Sequence, residues 1–329
     1  MSWFVLHSTI DKQSLIDQFS TNSGANPEMN SALQGVVVSP GSAGIEFVAS
    51  SPTATMTAPG SFQIAASGSV SPATPAWISQ LKTASIAADM SAAIVNDAVT
   101  YSGLLTLLTH LDSSLSSSKS SLTAAEFSDL KAIAAYLNNG VTASAYLTGI
   151  MKALVDGNAA NATWTAGNAS ATSLGNLAAG SSATQLSELI GKWFLGTDLP
   201  SSSVRMSGTS PFSVSYSNSS SPVFGSSGPS MNDINQGDLG DCYLLSSLAE
   251  VACKNPSVIS SMITSNGNNT YGVRFCVNGV ADYVTVNTAL ADGGSIFNSA
   301  TDIWASLTEK AYAELQAGGV VTGNYSASQ

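Results

Sequence analysis

The sequence predicts an α+β protein of several domains, and three observations lead to this prediction. The chain has 329 residues, a length that favours two or three domains. Short β-prone runs between Gly, Pro and Ser clusters mark residues 1–71, whereas helical periodicity with capping signals marks residues 72–200. A Ser/Gly-rich stretch at 201–228 then precedes residues 229–329, in which helical and strand patterns both occur.

Composition limits the classes of function that the chain could have. Charged residues make up 9% of the chain and the net charge is −11. This charge excludes binding to nucleic acid or to an anionic membrane surface by electrostatic attraction. No apolar run of about 18 residues predicts a membrane span, and Trp3 to Leu6 is too short an apolar run for a signal peptide. Hydroxyl and amide side chains fit a secreted or surface-exposed bacterial protein that leaves by a non-Sec route; otherwise we expect a cytoplasmic protein. The oligomeric state is not predicted.

The first segment, residues 1–71, is predicted to be β-rich or irregular. Its β-prone runs are 36–38, 45–48 and 62–65, and Pro59-Gly60 marks a turn before the last of them. His7 stands alone in this segment, and we interpret it as a structural residue.

The second segment, residues 72–200, is predicted to be an α-helical bundle. Thr123 and Glu126 form a capping box that starts one helix, and Gly140 ends it. His110 lies beside a leucine stripe of the bundle and is interpreted as structural. Residues 77–115 are predicted to hold one or two helices with the leucine stripe at 104–111, and further helical patterns cover 142–157 and 182–196.

Residues 201–228 are predicted to be a Ser/Gly-rich linker with one or two strands, such as 212–216. A linker of this kind is also a typical cleavage site. The helical bundle could then be a pro-region that cleavage in the linker releases.

The most informative stretch is the glycine-bearing loop 236–245, QGDLGDCYLL, which runs directly into an apolar helical pattern. Cys242 at the start of a helix is typical of a thiol nucleophile, because the positive end of the helix dipole stabilises a thiolate. The amide of Gln236, six residues earlier, could complete an oxyanion hole with the backbone N–H of Cys242.

This loop resembles the active-site signature of the calpain family of cysteine proteases. The resemblance continues in Asn255-Pro256, in the hairpin pattern at 271–286 with its Asn278-Gly279 turn, and in the helix motif DIWASLTEKAYAEL at 302–315. It implies that Cys242 is the nucleophile, that Gln236 is the oxyanion donor and that polypeptides are the substrate. It also implies that residues 229–329 form the first, helical half of a papain-like core. Asp302 is expected to cap the last helix.

The chain departs from the family in its histidines. Such a protease needs a His general base and an Asn that orients it, both downstream of the Cys, yet His7 and His110 lie upstream. We therefore expect an incomplete catalytic core that is inactive alone. The alternative is a non-catalytic secreted or structural protein that retains a degenerate protease module.

Metal and disulfide chemistry receive little support from the sequence. No cofactor is required for the thiol chemistry, but the resemblance places Asp233 at a position that binds Ca²⁺ in the family. Bonding to loop N–H groups is the alternative interpretation of Asp233. Three cysteines do not make a disulfide framework, and Cys253 and Cys276 are expected to be small buried residues.

Overall fold

The computed structural model describes residues 36–41, 44–49, 53–58, 61–65, 74–118, 121–204, 210, 212–235, 239, 241–292 and 302–317. Contacts between residues divide the chain into two compact units, 1–73 and 74–329. Eight α-helices and several small sheets occur in the described residues, which confirms the predicted α+β class. The finer division at residues 200 and 228 stays a prediction.

The first unit contains two antiparallel hairpins. Strand β1 (Val36–Gly41) pairs with β2 (Gly44–Ala49), and β3 (Thr53–Ala58) pairs with β4 (Ser61–Ala65). These strands contain the β-prone runs at 36–38, 45–48 and 62–65, so the strand prediction is confirmed there. His7 and the Pro59-Gly60 turn lie outside the described residues.

The second unit begins with a helix-rich part. Its helices are α1 (Ala84–Ala93), α2 (Tyr101–Ser118), α3 (Ala124–Tyr136), α4 (Ala145–Val155) and α5 (Ala183–Ile190), which continues into a π-helical turn at Gly191–Leu195. The capping box between Thr123 and Glu126 is present at the start of α3. Ser144 and Ser182 cap α4 and α5 in the same way, because each hydroxyl accepts a backbone N–H of the first turn.

One apolar core unites these five helices. Leucine, isoleucine and methionine side chains from every helix are fully buried in it, among them Met90, Leu108, Ile133, Ile150 and Leu186. A short hairpin, β5 (Ile94–Val95) with β6 (Ala98–Val99), interrupts the helices, and periodicity alone did not predict it. A second pair of two-residue strands is β7 (Thr163–Trp164) with β8 (Thr172–Ser173).

The rest of the second unit combines helices with a three-stranded sheet. The helices are α6 (Cys242–Lys254), α7 (Pro256–Met262) and α8 (Trp304–Ala317), and the sheet order is β12 (Ile263–Ser265), β13 (Thr270–Val277), β14 (Val280–Asn287). Asn278 and Gly279 both have positive φ, so the predicted two-residue turn between β13 and β14 is confirmed.

Residues 201–228 contribute strands to the second unit. Strand β9 (Ser203–Val204) pairs with β10 (Phe212–Ser213), and β11 (Ser215–Asn218) pairs with β15 (Ala289–Asp292). The last pairing ties this stretch to the chain just beyond β14. A second apolar core lies between the sheet and helices α6, α7 and α8, with Leu245, Val273, Val286, Trp304 and Leu307 buried at its centre.

Two predictions about single residues are wrong. Cys253 and Cys276 are exposed rather than buried, because Cys253 lies off the buried stripe of α6 and Cys276 lies next to the turn of the β13–β14 hairpin. Asp302 does not cap α8, which begins at Trp304; its Oδ2 instead accepts the backbone N–H of Gly225 at 3.0 Å.

Within the described residues, no helix has the length and apolar character needed to cross a membrane.

Candidate active site

Cys242 is the first residue of α6 and its side chain is exposed. The helix forms here because Leu245, Leu248 and Ala252 present one apolar stripe to the second core. The backbone carbonyl of Asp241 accepts the N–H groups of Leu244 and Leu245, at 2.9 and 3.1 Å, which fixes the first turn. The nucleophile predicted from the sequence is therefore an accessible thiol at a helix N-terminus.

A cluster of aromatic rings begins at Tyr243, the residue after Cys242. Tyr243 is 40% exposed, and its ring centroid is 6.2 Å from that of Tyr312 on α8. Tyr312 in turn lies 6.1 Å from Phe275 of β13. These edge and tilted contacts connect the start of α6 to α8 and to the sheet.

Helix α8 passes behind α6 and carries several buried polar groups. Glu309 is 3% exposed, and its carboxyl group is hydrogen-bonded to that of Asp241, the residue before Cys242. Burial raises the pKa of Glu309 well above its usual value, and the hydrogen bond and charge of Asp241 raise it further. The raised pKa favours the protonated form of Glu309 beside the start of α6. The sequence motif contained Glu309 but gave no sign of this partner.

The segment before the loop is fixed to the start of α8. Trp304 is fully buried, and its Nε1 donates to Oδ2 of Asp233 at 2.8 Å. The same oxygen accepts the backbone N–H of Ser230 at 2.6 Å. This agrees with the alternative interpretation of Asp233, in which its carboxylate bonds to N–H groups.

Asp302 lies close to this anchor. Burial raises the pKa of Asp302, and the negative charge of Asp233 adds to the rise, whereas the Gly225 hydrogen bond opposes it. Its Oδ1 is buried and has no hydrogen-bond partner among the described residues. A positive charge near Asp302 would therefore be favourable.

Further along α8, Lys310 is almost fully buried. Its Nζ donates to the backbone oxygens of Asn287 and Ala289 and to Oδ1 of Asn287, at 2.7 to 2.9 Å. Burial lowers the pKa of Lys310 to about 7, although the charge of Glu314 opposes this. These hydrogen bonds fix α8 to the end of β14.

The structure brings together part of the predicted site. Cys242 and Asp233 lie in the described residues, whereas Gln236 lies outside them, so its role as oxyanion donor stays a prediction. His110 lies on α2, where Nδ1 is 3.1 Å from Asp89. The residues that the structure describes contain no group of three His, Cys, Asp or Glu side chains arranged to hold a metal ion.

Comparison with known proteins identifies the segment that carries this site. The family model described as calpain family cysteine protease matches residues 213–324. The calpain-type cysteine protease ADL1 of Oryza sativa subsp. japonica is 32% identical over 105 residues, which cover 30% of this chain and 5% of the relative. The calpain-type cysteine proteases DEK1 of Zea mays and Arabidopsis thaliana are 32% and 31% identical over 103 and 105 residues, which cover 29% of this chain and 5% of each relative.

The chain spans about 5% of the length of these curated relatives. All three relatives are plant proteins, so the bacterial origin expected from composition stays a prediction. The matched residues include Cys242, the β13–β14 hairpin and α8, which are the features on which the resemblance was based. Residues 213–324 are therefore the part of the chain that is similar to the calpain family of cysteine proteases.

Proposed function

We propose that this chain supplies the nucleophile half of a cysteine endopeptidase. The observation that carries the proposal is the exposed Cys242 thiol at the first residue of α6, inside a segment that matches the calpain family. We propose that a helical bundle is followed in the chain by the helical half of a papain-like core. Polypeptides are the proposed substrate.

In the proposed reaction, the Cys242 thiolate attacks the carbonyl carbon of a peptide bond. The C–N bond then breaks, the amine leaves with a proton, and water hydrolyses the thioester to regenerate the thiol. Gln236 and the backbone N–H of Cys242 would stabilise the oxyanion.

The general base is proposed to come from outside these 329 residues. The sequence contains two histidines, and His110 is engaged with Asp89 on the surface of the helix-rich part. We therefore expect this chain alone to hydrolyse peptides very slowly, because a nucleophile and its base act as one unit.

Casein hydrolysis by the 329-residue chain, compared with Cys242→Ala, tests this division of roles. We expect no difference between the two proteins. Cleavage that disappears in Cys242→Ala would show that the chain already has a base. If the base comes from outside this chain, a longer form of the protein that contains a downstream His and Asn should cleave casein. Failure of the longer form to cleave casein would favour a non-catalytic module.

Thiol reactivity tests Cys242 without requiring turnover. All three cysteines are exposed, so a Cys253→Ser/Cys276→Ser protein isolates the Cys242 thiol, and the two other single-cysteine proteins are its matched controls. We expect iodoacetamide to alkylate Cys242 at least several-fold faster than either control thiol at pH 7. Equal rates for the three thiols would remove the support for a nucleophilic Cys242.

Calcium dependence is the second part of the proposal, and Asp233 and Asp302 are the residues that fit it. Asp302 has a buried, unpartnered Oδ1 among the described residues, and Asp233 adds a second carboxylate nearby. Hard cations such as Ca²⁺ prefer carboxylate and carbonyl oxygens, so backbone carbonyls would have to complete the coordination. When bound, the ion would neutralise the repulsion between these carboxylates and stabilise the anchor at the start of α8.

Terbium luminescence measures this binding directly. Trp304 donates a hydrogen bond to Asp233, so its indole is placed to sensitise a Tb³⁺ ion held by that carboxylate. We expect luminescence in the wild-type protein that Ca²⁺ displaces, and its loss in Asp302→Asn. Asp89→Asn, on the surface of the helix-rich part, is the control. Equal luminescence in wild type and Asp302→Asn would contradict the site.

A further inference from the structure

The β13–β14 hairpin has two buried faces, and each face packs against a different part of the chain. Cross-strand pairing places Val273 and Val284 on one face, which belongs to the second core with α6 and α8. Gly272 and Thr285 form a pair on the other face, and Tyr283 of that face packs against the core of the helix-rich part. The hairpin therefore joins the helix-rich part to the nucleophile helix.

A buried hydrogen-bond network crosses this second face. The hydroxyl of Tyr146 on α4 lies 2.7 Å from Oγ1 of Thr285, which donates to the backbone oxygen of Trp193 at 2.6 Å. Asn266 donates through Nδ2 to the Tyr146 hydroxyl at 3.1 Å. Tyr146 and Thr285 are 5% and 3% exposed. Separating the two parts would expose each of these polar groups to water or leave it without its hydrogen-bond partner.

At two glycines, the backbone lies too close to a neighbouring group for a side chain to fit. A Cβ atom on Gly272 would lie 2.6 Å from the ring of Tyr146. Gly196 has φ of +59°, and a Cβ there would lie 2.5 Å from the backbone of Val286. Glycine is therefore required on both sides, once in the hairpin and once after the π-helical turn.

Charged groups also meet across the contact. Lys192 forms an ion pair with Asp198 in the helix-rich part, and the charges of both act on Glu314 of α8. Side chains of both parts line a cavity of about 30 Å³ beside these groups, which leaves room for about one water molecule. The contact is thus closely packed and polar at its edge.

From these contacts we propose that residues 74–200 are a permanently bound partner of the calpain-like segment. Cleavage in the stretch 201–228 would then leave a two-chain complex and would not release a pro-region. The helix-rich part would support the nucleophile helix through the hairpin. This proposal goes beyond the proposed function, because it holds whether or not the chain hydrolyses peptides.

Specific cleavage of the folded protein tests the proposal. A recognition sequence for a site-specific protease is inserted between Arg205 and Thr209, which lies outside the described residues. After complete cleavage, we expect both fragments to co-elute in a 1:1 ratio on gel filtration at 0.5 M NaCl. Separate elution, or precipitation of either fragment alone, would overturn the proposal.

Substitution of Gly272 identifies the contact that holds the fragments together. Gly272→Val suits a strand but would place its side chain in the ring of Tyr146, so we expect at least a tenfold loss of co-eluting fragment after cleavage. Tyr146→Ala in the same protein removes the obstructing ring and should restore part of the complex. Ala281→Val, at an exposed position of β14, is the matched control and should leave the complex intact.

The double variant also separates a local effect from misfolding. If Gly272→Val reduces the complex and Tyr146→Ala restores none of it, the Gly272–Tyr146 contact is not what joins the parts. If Gly272→Val leaves co-elution unchanged, this contact contributes nothing and the proposal loses its structural basis. The uncleaved variants are compared by circular dichroism. Loss of the fold before cleavage would also contradict the proposal.

Discussion

The indole of Trp304 donates a hydrogen bond to the carboxylate of Asp233, and these residues are 71 positions apart. Trp304 begins α8 and is fully buried, whereas Asp233 ends the short 3-10 turn Met231–Asp233 before the glycine-bearing loop. The bond therefore fixes one end of the loop segment against the helix that packs behind Cys242. It links the segment that leads to Cys242 to the second core.

Replacing Trp304 with Phe tests the energy of this bond. Phe keeps much of the apolar volume but removes the N–H, so among the described residues Oδ2 of Asp233 keeps only its bond from Ser230. Because a hydrogen bond to a charged group contributes about 1.5–3 kcal/mol, we expect the free energy of unfolding to fall by about 2–3 kcal/mol in urea titrations.

Trp77→Phe is the matched control for this substitution. Trp77 is also buried, but its Nε1 has no hydrogen-bond partner among the described residues. The volume change is the same and no bond is lost, so we expect a smaller decrease. Equal losses in the two variants would mean that the Asp233 bond contributes no net stability.

The pair formed by Glu309 and Asp241 predicts a pH-dependent effect of Glu309→Gln. The folded-state pKa of Glu309 is raised, so the folded protein keeps a proton that the unfolded chain releases above about pH 4.3. Stability contributed by this group is thus lost as pH rises from there towards the folded-state pKa. Gln keeps a hydrogen-bond donor and does not titrate.

We therefore expect Glu309→Gln to gain stability relative to wild type as pH rises from 5 to 8. Urea unfolding at the two pH values measures this difference. Glu250→Gln, at an exposed position of α6, should show no such change. A difference between Glu309→Gln and wild type that stays constant with pH would contradict the protonated pair.

The capping box of α3 predicts a local effect. Thr123 accepts the backbone N–H of Glu126, and the Glu126 carboxylate accepts the backbone N–H of Thr123. Thr123→Ala removes one half of this exchange, so we expect a loss of about 1 kcal/mol in the free energy of unfolding. Thr123→Ser keeps the hydroxyl and should remain near wild type in the same denaturant titration. A loss of the same size in Thr123→Ser would attribute the effect to the methyl group.

Local signals accounted for the parts of the fold that the sequence predicted correctly. The capping box at Thr123, the Asn278-Gly279 turn and the helix that starts at Cys242 each depend on residues a few positions apart. Such features follow from hydrogen-bond geometry and from allowed backbone angles, which neighbouring residues determine. The motif at Cys242 also led to the correct family for residues 213–324.

Contacts between distant residues could not be predicted in this way. Nothing in the sequence indicated that Trp304 binds Asp233, that Asp241 meets Glu309, or that Gly272 fits against Tyr146. These pairings depend on how whole elements pack, which helical or strand periodicity does not specify. The exposure of Cys276 has the same origin, because the hairpin extends beyond the core that covers its base.

Two groups one turn apart on α8 predict pH effects of opposite sign. Burial raises the pKa of Glu314 to about 8, and the charge of Asp198 adds to the rise, whereas Lys192 and Lys310 oppose it. Burial lowers the pKa of Lys310 to about 7. Relative to unfolded values near 4.3 and 10.4, the folded protein holds an extra proton on Glu314 and lacks one on Lys310.

Each of the two groups changes the free energy of unfolding over a different pH range. Stability from Glu314 is lost as pH rises from about 4.3 to 8, because the unfolded chain releases that proton first. Stability from Lys310 increases as pH rises from about 7 to 10.4, because the unfolded chain binds that proton more strongly. Glu314→Gln should therefore gain stability relative to wild type between pH 5 and 8, by roughly 1–3 kcal/mol.

Lys310→Met is the reciprocal variant. It loses three hydrogen bonds, so we expect lower stability at every pH, but its deficit relative to wild type should shrink as pH falls from 10 to 7. Thermal or urea unfolding across pH 5–10 would measure both differences. Slopes of the same sign for Glu314→Gln and Lys310→Met would show that these groups do not titrate as a buried acid and a buried base, because the two linkage terms must oppose each other.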